Sequence, residues 1–286
     1  MIPVMMQGSF SIRHDVLPNF GTTWHYHPEL ELHYIIKGEG IRFIGNNISN
    51  FSAGEIILLG ENLPHTWRCR EEYFQPESGL NVEAIVIQFR PDCLGEHFLN
   101  LPEAHLIPQL YEKAKTGIVI KGKTRERLAS LMRQAVKATD LDRIIQLLNI
   151  LKLLAETEEI SHIALPKQFL PESNEYATLR LNKVCSYTLS NYKKEISLEE
   201  VSSISNLSIT SFCRYFKMMT KMTYYNFLTQ IRISQACRLL IDDNYPTNVV
   251  CFECGFNNVS NFYRHFKRIT GLTPLEYKRS YLHGIN

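Results

Sequence analysis

The 286-residue sequence lacks the features that mark membrane-bound and secreted proteins. No apolar run approaches the roughly 20 residues that a membrane-spanning helix needs. The N-terminal residues MIPVMMQGSF contain no basic region followed by an apolar core, so we expect no signal peptide. The seven cysteines are scattered and odd in number, which is typical of reduced thiols. These absences predict a cytoplasmic protein without a membrane partner.

Signatures of common catalytic sites are also missing. No phosphate-binding glycine loop and no Ser/His/Asp or Cys/His arrangement stands out. Cys251 and Cys254 form a CxxC pair, but no second Cys or His pair follows at zinc-finger spacing. We therefore expect these two thiols to lie on the inner side of a helix, and we expect the protein not to be an enzyme.

The charge is unevenly divided along the chain, although the net charge is only +2. Residues 178–286 contain 14 Lys and Arg against 7 Asp and Glu, a net charge of +7, whereas residues 1–177 contain 17 against 22, a net charge of −5. A basic segment of this kind is typical of a protein that meets nucleic acid at one end. Charge alone does not exclude chance segregation, so the interpretation needs a motif.

The first part of the chain, up to about residue 88, has the pattern of short strands separated by turns. Runs rich in Ile and Phe alternate with turn signals in residues 38–60, and residues 82–89 form a further strand. Strands without long helices between them predict a small barrel or sandwich. Two apolar helices follow from about Thr124, and they could pack on the barrel or form a dimer interface. Pro166 and Pro171 indicate a linker after them.

A row of imidazoles and carboxylates runs through residues 25–36. Read with the period of a strand, one face carries polar residues and the other apolar ones. The polar face holds His25, His27, Glu29, Glu31 and His33, and the apolar face holds Tyr26, Leu30, Leu32, Tyr34 and Ile36. The polar row could be a wet sheet surface, a metal site or the wall of a ligand pocket.

The C-terminal part is helical and contains an internal repeat. SFCRYFKMMTKMTYYNF, residues 211–227, aligns without gaps with NFYRHFKRITGLTPLEY, residues 261–277. Each copy predicts a short helix, a tight turn and a second helix with two inward phenylalanines and an outward arginine, which is a helix-turn-helix. A connecting helix of about 18 residues could hold the two second helices about one DNA turn apart.

Local signals place the helix ends within each copy. Ser197 and Glu200 form a capping box at the start of the first copy, and Ser208 can cap its second helix. In the second copy Gly255 permits a left-handed turn, and one of two asparagines caps the second helix. These asparagines are Asn257 and Asn258.

Outward positions of the two second helices are candidates for contact with double-stranded DNA. Solvated charges on a purely structural helix are the alternative, but equivalent Arg and Lys residues occur twice in a basic segment. The candidates are Thr210, Ser211, Arg214 and Lys217 in the first copy, and Ser260, Asn261, Arg264 and Lys267 in the second.

CGFNNVSNFYRHFKRITGLTPLEYKR, residues 254–279, resembles the signature of the AraC/XylS family of transcription regulators. The resemblance covers residues 181–279 and implies sequence-specific binding of DNA, usually to activate transcription with RNA polymerase as a partner. It implies phosphate contacts from both lysines. Tyr224 stands where the second copy has Pro274, a departure that we expect to alter only a helix start. The implied base contacts come from Thr210, Cys213, Arg214, Ser260, Asn261 and Arg264, of which Cys213 and Ser260 are small for that role.

The N-terminal part resembles the cupin-type sensor barrel common in this family. GTTWHYHPELE has the form G-x3-H-x-H-x3-E of a first cupin motif with a shortened first gap, and SAGEIILLGENLPHTW resembles the second motif. The resemblance implies that the motif residues face the cavity and bind an effector. Three imidazoles and one carboxylate also suit Fe, Mn, Ni, Zn or Cu, so they are candidate ligands of a divalent metal. The implied residues are His25, His27, Glu31 and His65, with Trp24 and Trp67 beside them.

We therefore predict an α+β two-domain protein. A cupin-like sensor barrel spans residues 1–120, a helical dimerisation region 121–159, a linker 160–177 and an all-α domain with two helix-turn-helix motifs 178–286. We expect a homodimeric transcription activator that requires no cofactor and responds to a small molecule such as a carbohydrate, because sensor barrels fused to this module usually lack metal. A metal-dependent cupin enzyme fused to a DNA-binding domain, and an effector-independent DNA binder, are the alternatives.

Overall fold

The computed structural model describes residues 9–21, 25–45, 47–95, 97–163, 175–220, 222–242 and 245–282. The chain divides into two compact units, with the main boundary between Ser173 and Asn174. The first unit is rich in strands and the second is helical, which confirms the predicted α+β two-domain class. Among the described residues, none of the helices has the length and apolar character needed to cross a membrane.

The strands of the first unit form two sheets. The described strands are β1 (Phe10–Leu17), β2 (Leu30–Lys37), β3 (Gly40–Ile44), β4 (Asn47–Phe51), β5 (Ile56–Leu59), β6 (His65–Cys69), β7 (Val82–Phe89), β8 (Ile118–Ile120) and β9 (Ile160–His162). One sheet has the order β1-β7-β2-β5-β8-β9, and the other has the order β4-β3-β6. Neighbours in the larger sheet run antiparallel.

The alternation predicted for residues 30–36 is present in β2. Leu30, Leu32 and Tyr34 are buried in a cluster that includes helices of the first unit. Ile35, on the opposite face, is buried in a second cluster with Trp67 of the smaller sheet. Both faces of the larger sheet are therefore covered, one by helices and the other by the smaller sheet. Glu31 and His33 share the face of Ile35 and point between the sheets.

Three α-helices of the first unit come after β7, with β8 between the first and the second and β9 after the third. They are α1 (Leu106–Ala114), α2 (Gly122–Lys137) and α3 (Asp140–Glu156). Leu128 and Met132 of α2 and Leu147 and Leu151 of α3 are fully buried with the strands. The apolar stripes of the two longer helices thus pack on the sheet, one of the two uses predicted for them. The sequence gives little sign of α1, because it is only nine residues long and carries a proline in its first turn.

The linker predicted over residues 160–177 is wrong at both ends. Ile160 and His162 belong to β9, which pairs with β8 and extends the larger sheet. A strand of three residues carries too little alternation to be recognised in a sequence. At the other end, the first helix of the second unit begins at Glu175. Residues 164–174, which include both linker prolines, lie outside the described part of the chain.

The second unit contains the predicted pair of helix-turn-helix motifs. Its described helices are α4 (Glu175–Asn191), α5 (Leu198–Ile204), α6 (Ile209–Thr220), α7 (Tyr224–Asp242), α8 (Thr247–Glu253), α9 (Val259–Thr270) and α10 (Pro274–Leu282). Helices α5 and α6 form the first motif, and α8 and α9 form the second. Helix α7 has 19 residues and joins them. Since α7 begins at Tyr224 and α10 at Pro274, both residues open a helix at equivalent positions.

The helix ends follow the predicted local chemistry. Ser197 and Glu200 form a capping box at α5. The Ser208 hydroxyl accepts a hydrogen bond from the Ser211 amide of α6 at 3.3 Å. Asn258, rather than Asn257, caps α9, because its side-chain oxygen accepts from the Asn261 amide at 3.0 Å.

Aromatic and thiol side chains fill the core of the second unit. The predicted inward phenylalanines of both copies are fully buried, and so are both thiols of the CxxC pair, as expected. The described cysteines are not all buried, however, because Cys213 is exposed and Cys93 is half-buried. The buried phenylalanines are Phe212, Phe216, Phe262 and Phe266.

Candidate functional site

Four of the predicted effector or metal residues converge in the first unit. One ligand atom from each of His25, His27, Glu31 and His65 lies within 4.8 Å of the others. The backbones of His25 and His65 exchange two hydrogen bonds of 3.1 and 2.9 Å, which fixes the loop before β2 against the start of β6. We call these four residues the histidine cluster.

The continuous polar strand predicted from His25 onwards is wrong. Strand β2 begins at Leu30, so His25 and His27 lie in the preceding loop. Pro28 interrupts the strand because it has no amide hydrogen to donate to a neighbouring strand. The two histidines therefore reach Glu31 through the bridge to β6 and not through strand alternation.

Glu31 lies at the centre of the histidine cluster and is only 4% exposed. Its Oε2 atom is 3.2 Å from Nε2 of His27, and its Oε1 atom is 3.8 Å from Nε2 of His65. Burial alone would raise the pKa of this carboxyl. The hydrogen bond with His27 and the electrostatic effect of the surrounding imidazoles outweigh burial and hold the pKa of Glu31 well below its usual value. Glu31 is therefore a carboxylate at neutral pH.

Backbone carbonyls fix the ring orientation of two histidines in the cluster. Nδ1 of His65 lies 2.7 Å from the carbonyl of Leu63, and Nδ1 of His27 lies 3.1 Å from the carbonyl of Glu29. Because a carbonyl can only accept, each Nδ1 carries a hydrogen and donates it. The Nε2 atoms of both rings are then directed at Glu31.

The pKa values of the two rings are shifted in opposite directions. Burial and the nearby charge of His25 keep the pKa of His65 well below its usual value, so this ring is neutral. Burial lowers the pKa of His27 as well, but the hydrogen bond and negative charge of Glu31 raise it overall. His65 is only 1% exposed, and its Nε2 atom is buried without a hydrogen-bond partner. A buried lone pair of this kind can accept a proton or a metal ion.

Two further polar side chains belong to the site, although neither is among the cupin-motif residues; His33 stands only in the predicted polar row, and Gln88 is not a candidate from sequence. His33 is buried, and burial lowers its pKa to about 4, so its ring is neutral. Gln88 lies directly opposite Glu31 in the register of β2 and β7, and its Nε2 donates to Glu31 at 2.6 Å. Its Oε1 accepts from Arg13 at 2.7 Å, which fixes the amide orientation. One sign was available, since Gln88 is polar on an otherwise apolar face of residues 82–89.

The tryptophans do not form an open stacking surface in the described residues. Trp67 is 4% exposed and belongs to the core between the sheets. Its ring packs edge-on against His33, with ring centroids 4.2 Å apart, and it also contacts His65. Trp67 therefore packs against the rings of His33 and His65 as part of the core. Trp24 lies outside the described residues.

The candidate DNA-contacting side chains lie on the outer faces of α6 and α9. All but Asn261 are exposed, namely Thr210, Ser211, Cys213, Arg214, Lys217, Ser260, Arg264 and Lys267. Asn261 is half-buried, and its side-chain oxygen accepts a hydrogen bond of 2.7 Å from Arg264. Arg268 of α9 is a further exposed cation that the repeat alignment did not single out.

Two family models match the chain, one in each unit. A model described as an AraC-like ligand binding domain matches residues 7–102, and a helix-turn-helix domain model matches residues 201–280. The HTH-type transcriptional regulator YdeC of Bacillus subtilis is 21% identical over 268 residues, which cover 89% of this chain and 85% of YdeC.

Two further proteins are similar to this chain over a smaller share of one of the two sequences. An HTH-type transcriptional regulator of Staphylococcus aureus is 24% identical over 87% of this chain, but the chain spans only 31% of its length. The DNA-binding domain of AdpA, solved in complex with a target DNA, is 27% identical over 36% of this chain and 92% of that domain, with a TM-score of 0.35.

Proposed function

The chain is an AraC-type transcriptional regulator, and we propose that it binds specific duplex DNA through α6 and α9 in response to an effector held in its N-terminal unit. The family matches confirm the predicted AraC/XylS resemblance. They also confirm that the chain is not an enzyme, since the matched domains and relatives are those of transcriptional regulators.

The repetition of one cationic pattern on two helices carries the DNA proposal. Arg214 and Lys217 are exposed on α6, and Arg264 and Lys267 are exposed at the equivalent positions of α9. A guanidinium at an outward position can donate two hydrogen bonds to guanine in the major groove. A lysine one turn further along can neutralise a phosphate. Two helices that present the same pair can read two neighbouring segments of one duplex.

The histidine cluster is the proposed effector site. It gathers imidazole and carboxylate groups between the two sheets, where an effector with several polar groups, such as a carbohydrate, could form hydrogen bonds. Binding there would favour one arrangement of the regulator over another and so alter its affinity for DNA. An effector-independent DNA binder would instead show the same affinity with every small molecule.

We also propose that the regulator is a homodimer that activates transcription through contact with RNA polymerase. Helix α3 supports the dimer, because its outer face carries Leu141, 66% exposed, and Ile145, 45% exposed. These two side chains lie one helical turn apart on the face opposite the buried leucines. Paired helices from two copies would remove this apolar surface from water.

Selection of duplexes from a random pool by the full chain tests the proposed function. We expect enriched sequences with two short defined segments about one helical turn, or roughly 10 base pairs, apart. An enriched pool in which one defined segment alone recurs would contradict binding by both helices. A pool without any enrichment would overturn specific DNA binding.

A further inference from the structure

We propose that the histidine cluster binds one first-row divalent transition-metal ion, and that this ion is the signal to which the regulator responds. The binding part stands on the geometry of His25, His27, Glu31 and His65. The regulatory part rests on the function proposed above.

The spacing of the four side chains suits one ion. Their ligand atoms lie within 4.8 Å of one another. Bonds of about 2.0–2.2 Å to a shared ion would place any two ligand atoms at most about 4.4 Å apart. A contraction of a few tenths of an ångström would therefore seat an ion between them.

The ring orientations leave lone pairs directed at this space. Because Nδ1 of His65 donates to Leu63, its buried Nε2 has a lone pair and no partner. Nε2 of His27, whose Nδ1 donates to Glu29, faces the Glu31 carboxylate at 3.2 Å. A lone pair and a carboxylate repel at this distance unless a cation lies between them. A metal ion placed between them would bind the lone pair and the carboxylate together.

The groups that contact the cluster residues resemble those that hold metal ligands in place in other proteins. Imidazoles that bind metal usually donate their other ring hydrogen to a carbonyl or a carboxylate, as His27 and His65 do here. The carboxylate ligand is held as well, since Gln88 donates to Glu31 and is itself fixed by Arg13. Gln88 is thus a positioning residue for Glu31.

The donor set restricts the choice of metal. Three imidazole nitrogens and one carboxylate oxygen suit Mn²⁺, Fe²⁺, Co²⁺, Ni²⁺, Cu²⁺ or Zn²⁺. Mg²⁺ and Ca²⁺ prefer oxygen ligands and would be poorly held. We therefore expect a site that discriminates between transition metals and alkaline-earth metals.

Titration of the full chain with Co²⁺, after removal of metals with a chelator, tests binding directly. We expect visible absorption bands of bound Co²⁺ that saturate at one ion per chain, with no response to Mg²⁺. Glu31→Gln and His65→Gln should abolish the bands. His27→Gln, which alters a less buried ring, should weaken binding by at least tenfold if the more buried variants do not fold. His14→Gln is the matched control, because His14 is an exposed histidine of the same unit paired with Glu83.

Absence of Co²⁺ bands in the wild-type chain would contradict the proposed metal site. Bands that persist in all three cluster variants would also contradict it. The same preparations are then tested on a selected duplex, with and without Co²⁺, Mn²⁺, Ni²⁺ or Zn²⁺. We expect at least a fivefold change in DNA affinity with one of these ions, absent in Glu31→Gln. Co²⁺ bands without a change in DNA affinity would contradict the proposal that the metal ion is the signal. Specific DNA binding without metal would uphold the proposed function even where the metal proposal fails.

Discussion

At the scale of single residues, Arg264 and Lys267 lie one turn apart on α9, and we propose that they contact different parts of the duplex. Arg264 donates to Asn261 in the free protein, so its guanidinium is already held at the outer face of the helix. Lys267 is exposed. A fixed planar donor pair can select a base, whereas a flexible ammonium group recognises charge.

Replacement of each residue separates the two roles. Arg264→Ala should cost about 1–3 kcal/mol on the preferred duplex and relax selection at one base position. Lys267→Ala should weaken binding to all duplexes alike and lower the slope of log affinity against log salt by about one. Fluorescence anisotropy with matched and single-base-changed duplexes measures both. Equal weakening of all duplexes by Arg264→Ala would identify Arg264 as a phosphate contact.

Residue-level prediction from the sequence succeeded where a motif fixes the spacing. The positions of His27, Glu31 and His65 follow from two short motifs, and the structure brings them together. Gln88 could not be placed in the same way, because its contact with Glu31 depends on the register of β2 against β7. Register is set by pairing across the whole sheet, which a single strand sequence does not contain.

At the scale of elements, two glycines with the same backbone conformation have different surroundings. Gly255 ends the first helix of the second motif with φ +79°, and Gly271 ends α9 with φ +80°. A Cβ atom on Gly255 would lie 2.5 Å from the backbone oxygen of Tyr192, whereas a Cβ atom on Gly271 would meet no atom within 4 Å. The turn after α8 therefore depends on glycine for space as well as for conformation.

Alanine at each position tests this difference. Gly271→Ala should cost about 1–2 kcal/mol from the left-handed conformation alone. Gly255→Ala should cost about 3 kcal/mol or more, because a backbone segment must also move. Urea unfolding followed by circular dichroism compares the two variants. Equal costs would show that the contact with Tyr192 adds nothing.

Elements with strong local signals are predictable, and elements without them are not. Helix α7 is a long run without glycine or proline, and α5 and α9 have capping residues in their sequences. Helix α1 and strand β9 are short and gain their stability from packing on the larger sheet. Their formation is a tertiary effect, so local pattern gives little sign of it.

At the scale of the whole molecule, α2 and α3 form part of the core of the first unit. Removal of residues 124–159 would therefore expose that core and unfold the unit, so it cannot test dimerisation. Substitution on the outer face of α3 is the appropriate change. Ile145 is exposed there, while Lys113 is an exposed residue of α1 that serves as a control outside this face.

Ile145→Glu should convert the proposed dimer to a monomer at micromolar concentration, because two like charges would meet at the centre of the interface. Lys113→Glu should leave the dimer intact. Sedimentation of the full chain measures both states. A wild-type chain that sediments as a monomer, with or without DNA, would contradict the dimer.

The central claim is that the full chain is a sequence-specific DNA-binding regulator. The most direct test measures its affinity for the duplex selected from a random pool and for an unrelated duplex of equal length, at one physiological salt concentration. We expect the selected duplex to bind at least about 10³-fold more tightly. Affinities that agree within tenfold would reduce the two helix-turn-helix motifs to a non-specific basic surface and would contradict the account.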